Sequence, residues 1–265
     1  MRVELAVATV VARRRATQLL ASACWLLAAC TSDSNSATAG RSPTFIPPGS
    51  AGGQAGAAGG SGAASDDRGI SLGRFVNTFY WMEFEADYRG RADTELEGSD
   101  CRVLATVPRA FAERICVEGS GRLVSGALLN LTGECACGFK CSETDTSVCF
   151  FPITDSRAPW GYGSDGNALL PLRSLAIAES VVPHGTVLYI PDWDGLAIPA
   201  GAEGLGGFVH DGCFRVDDIG YGVEGRHYDF FTGTASLWMA LEELLPTDSS
   251  TTVYRDPPRC AGKLP

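Results

Sequence analysis

The sequence predicts a mainly β domain, built as a small closed barrel with one or two helices and a disulfide-rich insertion. Short segments rich in aromatic and β-branched residues recur between glycine-containing turns, which is the pattern of short strands. Only two segments have the spacing and the boundary signals of a helix. Eight of the 10 cysteines lie in the globular part of the chain, and an even number is typical of a disulfide framework. Many short strands with few helices favour a barrel over a parallel sheet.

The strands are predicted from local composition. Residues 75–81 are aromatic and β-branched, so they form the first strand. Residues 123–131 are predicted as a strand pair that is broken at Gly126. The later strands are bounded by glycine and proline turns, and they are predicted at residues 174–182, 186–190, 207–216, 227–231 and 251–254.

Two helices are predicted. A short one covers residues 108–116, and a clearer one covers residues 234–245. In the second, Thr234 is in position to cap the first turn, leucines at helical spacing form an apolar stripe, and Pro246 follows the end.

The first 70 residues are predicted to lie outside the fold. Residues 1–30 have a basic patch, a short apolar run and small residues, in the order of a secretory signal. The sequence Leu-Ala-Ala-Cys that ends at Cys30 resembles the lipobox of bacterial lipoproteins, which would make Cys30 the lipidated first residue of the mature chain. The alternative is an ordinary cleaved signal. Residues 31–70 are rich in Ser, Thr, Gly, Ala and Pro and are predicted as a flexible tether.

Residues 71–265 have a globular composition and are predicted as one domain. The formal net charge of −10 argues against partners such as nucleic acid or anionic lipid. The histidines are too few and too scattered for a metal site, so no metal or cofactor is predicted. Solvent-facing or structural roles are expected for all three, which are His184, His210 and His227.

The cysteines of this domain predict four disulfides. A cluster near residues 132–156 could also suggest zinc, but its spacing does not give two separated Cys-x2–4-Cys pairs. The clustered cysteines are expected to pair among themselves, with Cys213 and Cys260 closing the C-terminal part. The cluster consists of Cys135, Cys137, Cys141 and Cys149.

Acidic residues flank a glycine-containing bend at residues 216–231. Asp229 lies among aromatic residues, and such surroundings can keep a carboxyl group protonated near neutral pH. Strand alternation places Tyr228 and Phe230 on the opposite face and leaves Phe231 as the aromatic neighbour on its own face. Asp218 and Asp217 stand just before glycines, where an acid also stabilises turns, and Asp217 is expected to be a turn residue.

Residues 174–191 and 217–231 together resemble the 3D domain, which is named for three aspartates. The resemblance rests on a Pro-x-Gly-Thr turn, an Asp-x-Gly bend and an aspartate eleven residues further on. That domain forms part of the six-stranded double-psi β-barrel of membrane-bound lytic transglycosylases of the MltA type. The second family aspartate falls on Asp218 and the third, the catalytic acid of the family, on Asp229. The first falls on Ala178, so this chain lacks it.

The resemblance implies an exported peptidoglycan lytic transglycosylase, with Asp229 as the acid and Asp218 in support. Those enzymes cut the β-1,4 bond between N-acetylmuramic acid and N-acetylglucosamine and leave a 1,6-anhydro sugar. Tyr221, Trp160 and Tyr162 are candidates for stacking on sugar rings, whereas Trp81 is expected in the core. Two alternatives stay open: a non-catalytic glycan-binding module, and a glycoside hydrolase that uses water and both carboxylates.

Overall fold

A computed structural model of the chain describes residues 66–220 and 222–264. The predicted signal with Cys30, most of the predicted tether, and Tyr221 therefore lie outside the described residues. The described part contains fourteen β-strands and two α-helices. Among its helices, none has both the length and the apolar character needed to cross a membrane.

The strands and helices follow one another along the chain, with four short 3-10 helices between them. The strands are β1 (Ile70–Trp81), β2 (Glu83–Phe84), β3 (Ala92–Glu97), β4 (Val103–Pro108), β5 (Ser120–Arg122), β6 (Leu128–Lys140), β7 (Ser147–Ile153), β8 (Ser174–Ala176), β9 (Val187–Tyr189), β10 (Ala197–Ile198), β11 (Phe208–Val209), β12 (Cys213–Asp218), β13 (His227–Gly233) and β14 (Ser250–Arg255). The α-helices are α1 (Arg109–Glu118) and α2 (Ala235–Glu242). The 3-10 helices are Glu85–Asp87, Pro191–Trp193, Ala202–Gly204 and Pro258–Cys260.

Six strands form a closed barrel in the order β1-β13-β8-β12-β9-β14. The pairs β1–β13 and β8–β12 are parallel, and the other four pairs are antiparallel. In chain order the barrel strands are β1, β8 and β9, followed by β12, β13 and β14. If each strand of the first set is exchanged with its counterpart in the second set, every strand keeps the same type of neighbours, so the strand order has pseudo-twofold symmetry. The prediction of a small six-stranded barrel is confirmed, and its strand order is consistent with the double-psi type.

Large aromatic side chains fill the barrel interior. Phe79, Trp193, Phe214 and Phe230 are at most 1% exposed, and their rings meet mostly edge to face. Burial of a side chain of this size contributes about 1.5–3 kcal/mol. Phe75 and Phe79 on β1 share this face because strand side chains alternate.

A second layer of structure covers residues 82–153. Strands β2, β5, β6 and β7 form a four-stranded sheet, and β3 pairs with β4. Helix α1 packs Phe111 and Ile115 against Leu96 and Phe150 in a separate apolar core. The cysteine-rich segment is thus part of a sheet with its own core.

The described part of the chain contains four disulfides, as predicted, but their pairing differs in part from the expectation. Cys213–Cys260 and Cys135–Cys149 pair as expected. Cys137 and Cys141 reach outside the cluster, to Cys101 and Cys116 respectively. The expectation that the four clustered cysteines pair only with one another was wrong. Strand β6 contacts β3 and helix α1, and Cys116 lies on that helix. The sulfurs of three of these cysteines lie within 4.8 Å of one another, as in a metal site, but all three are in disulfides.

The helices agree with the sequence, whereas three strand predictions differ from the structure. Residues 123–131 contain only the start of β6, residues 207–216 contain β11 and the first part of β12, and residues 174–182 contain only β8. Thr234 caps α2, since its hydroxyl accepts a hydrogen bond from the Leu237 amide at 3.3 Å. Strand β8 ends at Ala176 and does not extend to residue 182. Its continuation turns instead, because the amides of Val181 and Val182 donate to the Ala178 carbonyl.

Candidate functional site

Four side chains form a row across four adjacent barrel strands. Thr78 on β1 pairs with Asp229 on β13. Ala176 on β8 pairs with Asp229 on one side and with Asp218 on β12 on the other. Residues paired across neighbouring strands project from the same face of a sheet. The row therefore places both predicted site aspartates on one face, with the small Ala176 between them.

Asp229 is buried at one end of this row. It is 7% exposed, and its Oδ1 accepts a hydrogen bond of 2.7 Å from Thr78 Oγ1. The neighbouring Tyr228 and Phe230 point into the barrel, whereas Phe231 packs on Tyr80 outside it, with ring centroids 4.9 Å apart. The predicted alternation is confirmed, and this carboxylate accepts a hydrogen bond from a side-chain hydroxyl rather than from a backbone amide.

Asp218 stands at the other end of the row and is half-buried. Its Oδ1 accepts hydrogen bonds of 2.9 Å from the amides of Ser164 and Ile219, and Tyr80 donates its hydroxyl to Oδ2 at 3.3 Å. Burial raises the pKa of Asp218 to about 6, against the opposing effect of these hydrogen bonds. Asp218 is thus a carboxyl group that titrates in the mildly acidic range.

Asp217 is not the turn residue that the sequence suggested. It lies within β12 at a register shift between Val216 and Asp218, so it is the extra residue of a β-bulge. Its carboxylate is fully buried, accepts a hydrogen bond from Ser174 and forms an ion pair with Arg215. Burial raises its pKa, and the arginine and serine oppose that effect. Asp217 is a buried structural acid.

A glycine-containing loop passes over Asp218. A Cβ on Gly163 would lie 1.9 Å from the Asp217 carbonyl oxygen, so only glycine allows the backbone to approach so closely. This approach brings the Ser164 amide to Asp218. Ser164 Oγ also lies 3.3 Å from His184 Nε2.

The predicted sugar-stacking residues differ in their surroundings. Trp160 is half-buried and packs against the apolar cluster that includes Tyr80 and Ala176. The Arg122 guanidinium lies 5.6 Å from the centroid of its ring. The hydroxyl of Tyr162 donates to Asp155 at 3.1 Å. Trp160 therefore packs against the same apolar cluster as Ala176 of the row, whereas the Tyr162 hydroxyl is held by Asp155.

Two further aromatic residues, Trp81 and Tyr80, are buried near the end of β1. Trp81 is buried, as expected, and stacks on Trp238 with centroids 4.7 Å apart. Tyr80 is 7% exposed, and burial together with the charges of Asp218 and Asp229 raises the pKa of its hydroxyl. At neutral pH this hydroxyl is thus a hydrogen-bond donor.

Two residues of the site were missed by the sequence analysis, namely Thr78 and His227. His227 Nε2 lies 2.7 Å from Thr78 Oγ1, so the histidine joins the hydrogen bonds of Asp229. His210, by contrast, is fully buried and has a structural role. Its Nε2 is hydrogen-bonded to the Leu172 carbonyl, and its Nδ1 accepts a hydrogen bond from the Gly212 amide. Burial lowers the pKa of His210 to about 4. The parallel pairing of β1 with β13 is the signal that locates Thr78, and it appears only in the fold.

Solved structures with a similar fold share little sequence with this chain. MltA of Escherichia coli with bound chitohexaose is 14% identical, with 68% of this chain and 71% of that chain covered, at a TM-score of 0.47. A membrane-bound lytic murein transglycosylase of Agrobacterium tumefaciens is 14% identical, with 72% and 76% covered, at 0.43. LtgG of Burkholderia pseudomallei is 13% identical, with 69% and 71% covered, at 0.37. All three are lytic transglycosylases.

No protein-family model matches the sequence, and a comparison with curated proteins finds no match.

Proposed function

We propose that this protein is a peptidoglycan lytic transglycosylase that cleaves the β-1,4 bond between N-acetylmuramic acid and N-acetylglucosamine. The observation that carries the proposal is the row on one barrel face, in which Asp229 and Asp218 flank Ala176. These are the two aspartates that the resemblance to the 3D domain assigns to the site. The Thr78 hydroxyl donates to one oxygen of Asp229, and the Tyr80 hydroxyl donates to one oxygen of Asp218.

The proposed reaction needs a single acid. Asp229 protonates the oxygen of the glycosidic bond as that bond breaks. The 6-hydroxyl of the same muramic acid residue then attacks the anomeric carbon and returns its proton to Asp229, which gives the 1,6-anhydro product. Because the nucleophile belongs to the substrate, the protein mainly has to hold the sugar in the reactive geometry, and orientation can lower the barrier by several kcal/mol.

Asp218 is proposed as a supporting residue for the sugar. Its pKa of about 6 leaves a substantial protonated fraction in mildly acidic solution. A neutral Asp218 also places no second negative charge beside Asp229. With Tyr80 donating to Oδ2, the carboxyl group has a fixed orientation toward the row.

The proposed substrate is a peptidoglycan glycan strand, which would stack on aromatic residues beside the row. Trp160, which is half-buried and packs against the apolar cluster that contains Tyr80 and Ala176, is the first candidate. Tyr162 and Tyr221 are further candidates, and Tyr221 lies outside the described residues.

We propose that the domain acts in the cell envelope. Four disulfides suit an oxidising compartment. The predicted signal and lipidation at Cys30 would anchor it to a membrane through the tether of residues 31–70.

A glycoside hydrolase is the second candidate, favoured by the presence of two carboxyl groups on one barrel face with strand β8 between them. Asp229 and Asp218 are two strands apart, so their Cα atoms are roughly 9–10 Å apart at the usual strand spacing. Carboxyl groups about 6.5–9.5 Å apart leave room for the water of an inverting hydrolase. In that reaction one aspartate would act as acid and the other as base.

Digestion of purified peptidoglycan tests the proposal, with products identified by mass spectrometry. Wild type is expected to give 1,6-anhydro ends. D229N is expected to lose at least about 100-fold in rate, because general acid catalysis contributes about that much or more. D218N is the comparison variant and is expected to retain part of the activity. Reducing ends from wild type would favour the hydrolase, and glycan binding without cleavage would favour the binding module.

A further inference from the structure

Hydrogen bonds link three side chains from His227 to the carboxylate of Asp229. His227 Nε2 lies 2.7 Å from Thr78 Oγ1, and Thr78 Oγ1 lies 2.7 Å from Asp229 Oδ1. His227 precedes Asp229 by two residues on β13, and Thr78 stands opposite Asp229 on β1. All three side chains therefore project from the same barrel face.

Proton counting gives the direction of these hydrogen bonds. A threonine hydroxyl carries one proton, and Thr78 donates it to Asp229 Oδ1. The contact between Thr78 and His227 must then be made by the imidazole as donor. His227 consequently carries a proton on Nε2, whether its ring is neutral or charged.

We propose that His227 is a positioning residue for Asp229. By donating to Thr78 Oγ1, it leaves Asp229 Oδ1 as the acceptor for the Thr78 proton. The carboxyl group is then held in one orientation, and the proton that the acid transfers is carried on Oδ2. This inference rests on the proposed function, because the orientation matters only if Asp229 transfers a proton.

The surroundings make this arrangement stiff. Thr78 and Asp229 are each 7% exposed, so their hydrogen bond is stronger than a solvated one. Threonine is branched at Cβ and has few side-chain conformations within a strand. His227 is half-buried, and its partner on the neighbouring strand, Val76, is exposed.

Kinetics of four variants test the positioning role. H227F removes the N–H donor, and H227Q replaces it with an amide donor at a similar reach. We expect H227F to lower kcat about tenfold with KM within about twofold, and H227Q to retain most of kcat. T78V should match H227F, and the double variant H227F/T78V should fall no further, because the two residues act as one unit. Thermal denaturation identifies any variant that fails to fold.

Nitrogen NMR of labelled histidine provides a readout that needs no substrate. The chain has 3 histidines, so the H227Q spectrum assigns the His227 signal. We expect neutral His227 as the Nε2–H tautomer, with the Nε2 chemical shift changed in T78V because the hydrogen bond to Thr78 Oγ1 is lost. A dominant Nδ1–H tautomer would overturn the inference.

The kinetic outcomes separate the two proposals. An active wild type with H227Q as slow as H227F refutes the positioning role and leaves the proposed function intact. Unchanged kcat in H227F refutes it as well. A wild type that cleaves no glycan refutes the proposed function, and the positioning role with it.

Discussion

Asp218 makes the stability of the protein depend on pH. Burial raises its pKa from an ordinary value of 3.8 to about 6. Between these pH values the unfolded chain releases the Asp218 proton and the folded chain keeps it. The contribution of Asp218 to stability is therefore fully present below about pH 4, is lost as pH rises toward about 6, and stays absent above that.

The size of the effect follows from the two pKa values. A rise from 3.8 to about 6 corresponds to about 3 kcal/mol at neutral pH. D218N removes the titration and keeps an oxygen that accepts the amides of Ser164 and Ile219. We expect D218N to match wild type near pH 3 and to be about 3 kcal/mol more stable above pH 7, or roughly 6–12 °C in Tm for a domain of this size.

Urea denaturation of the full chain between pH 3 and pH 8 measures this difference, with the disulfides kept oxidised and tryptophan fluorescence as the signal. D248N is the matched control, because Asp248 is exposed and its left-handed backbone suits asparagine equally well. The control should differ little from wild type at every pH. The reasoning is refuted if D218N is no more stable than wild type at pH 8, or if its advantage is the same at pH 3.

Three further changes test the fold and the site. G163A forces a Cβ toward the Asp217 carbonyl at 1.9 Å, so we expect the loop to shift and cleavage of peptidoglycan to fall at least about tenfold; unchanged kinetics would show that the loop is not needed. Replacing Cys213 and Cys260 by serine removes a disulfide between residues 47 apart, and we expect the free energy of unfolding measured with urea to fall by about 4 kcal/mol. An unchanged free energy of unfolding would show that this disulfide is dispensable. T234A removes the cap of α2 and should lower stability by about 1 kcal/mol, while T234S should not.

Local sequence patterns predicted the barrel class and the face of Asp229. Alternation along β13 correctly separated Phe230, in the barrel interior, from Phe231, beside Tyr80. Side-chain alternation in a strand repeats every two residues, so it can be read from a few neighbouring positions. The cap at Thr234 was predictable for the same reason, since it depends on three consecutive positions after it.

Contacts between distant residues were not predictable from the sequence. Thr78 and Asp229 are 151 residues apart, and only the parallel pairing of β1 with β13 brings them together. His227 looked solvent-facing or structural because its partner lies on that same distant strand. The pairing of Cys137 with Cys101 has the same cause, because cysteine spacing does not determine which strands are neighbours.

Asp217 shows how a small irregularity misleads sequence reasoning. A regular strand would turn Asp217 and Asp218 to opposite faces and end at the glycine bend. The carboxylate of Asp217 is instead buried against Arg215 and Ser174, and the bulge shifts the register by one residue so that Asp218 pairs with Ala176. Nothing in the local composition distinguishes such a bulge from a turn.

Digestion of peptidoglycan in water enriched in heavy oxygen tests the proposed function most directly. If Asp229 protonates the leaving oxygen and the 6-hydroxyl of the sugar attacks, wild type will release 1,6-anhydro products without the label, and D229N will release almost none. Reducing products that carry the heavy oxygen, or D229N as active as wild type, would contradict a lytic transglycosylase that acts through Asp229.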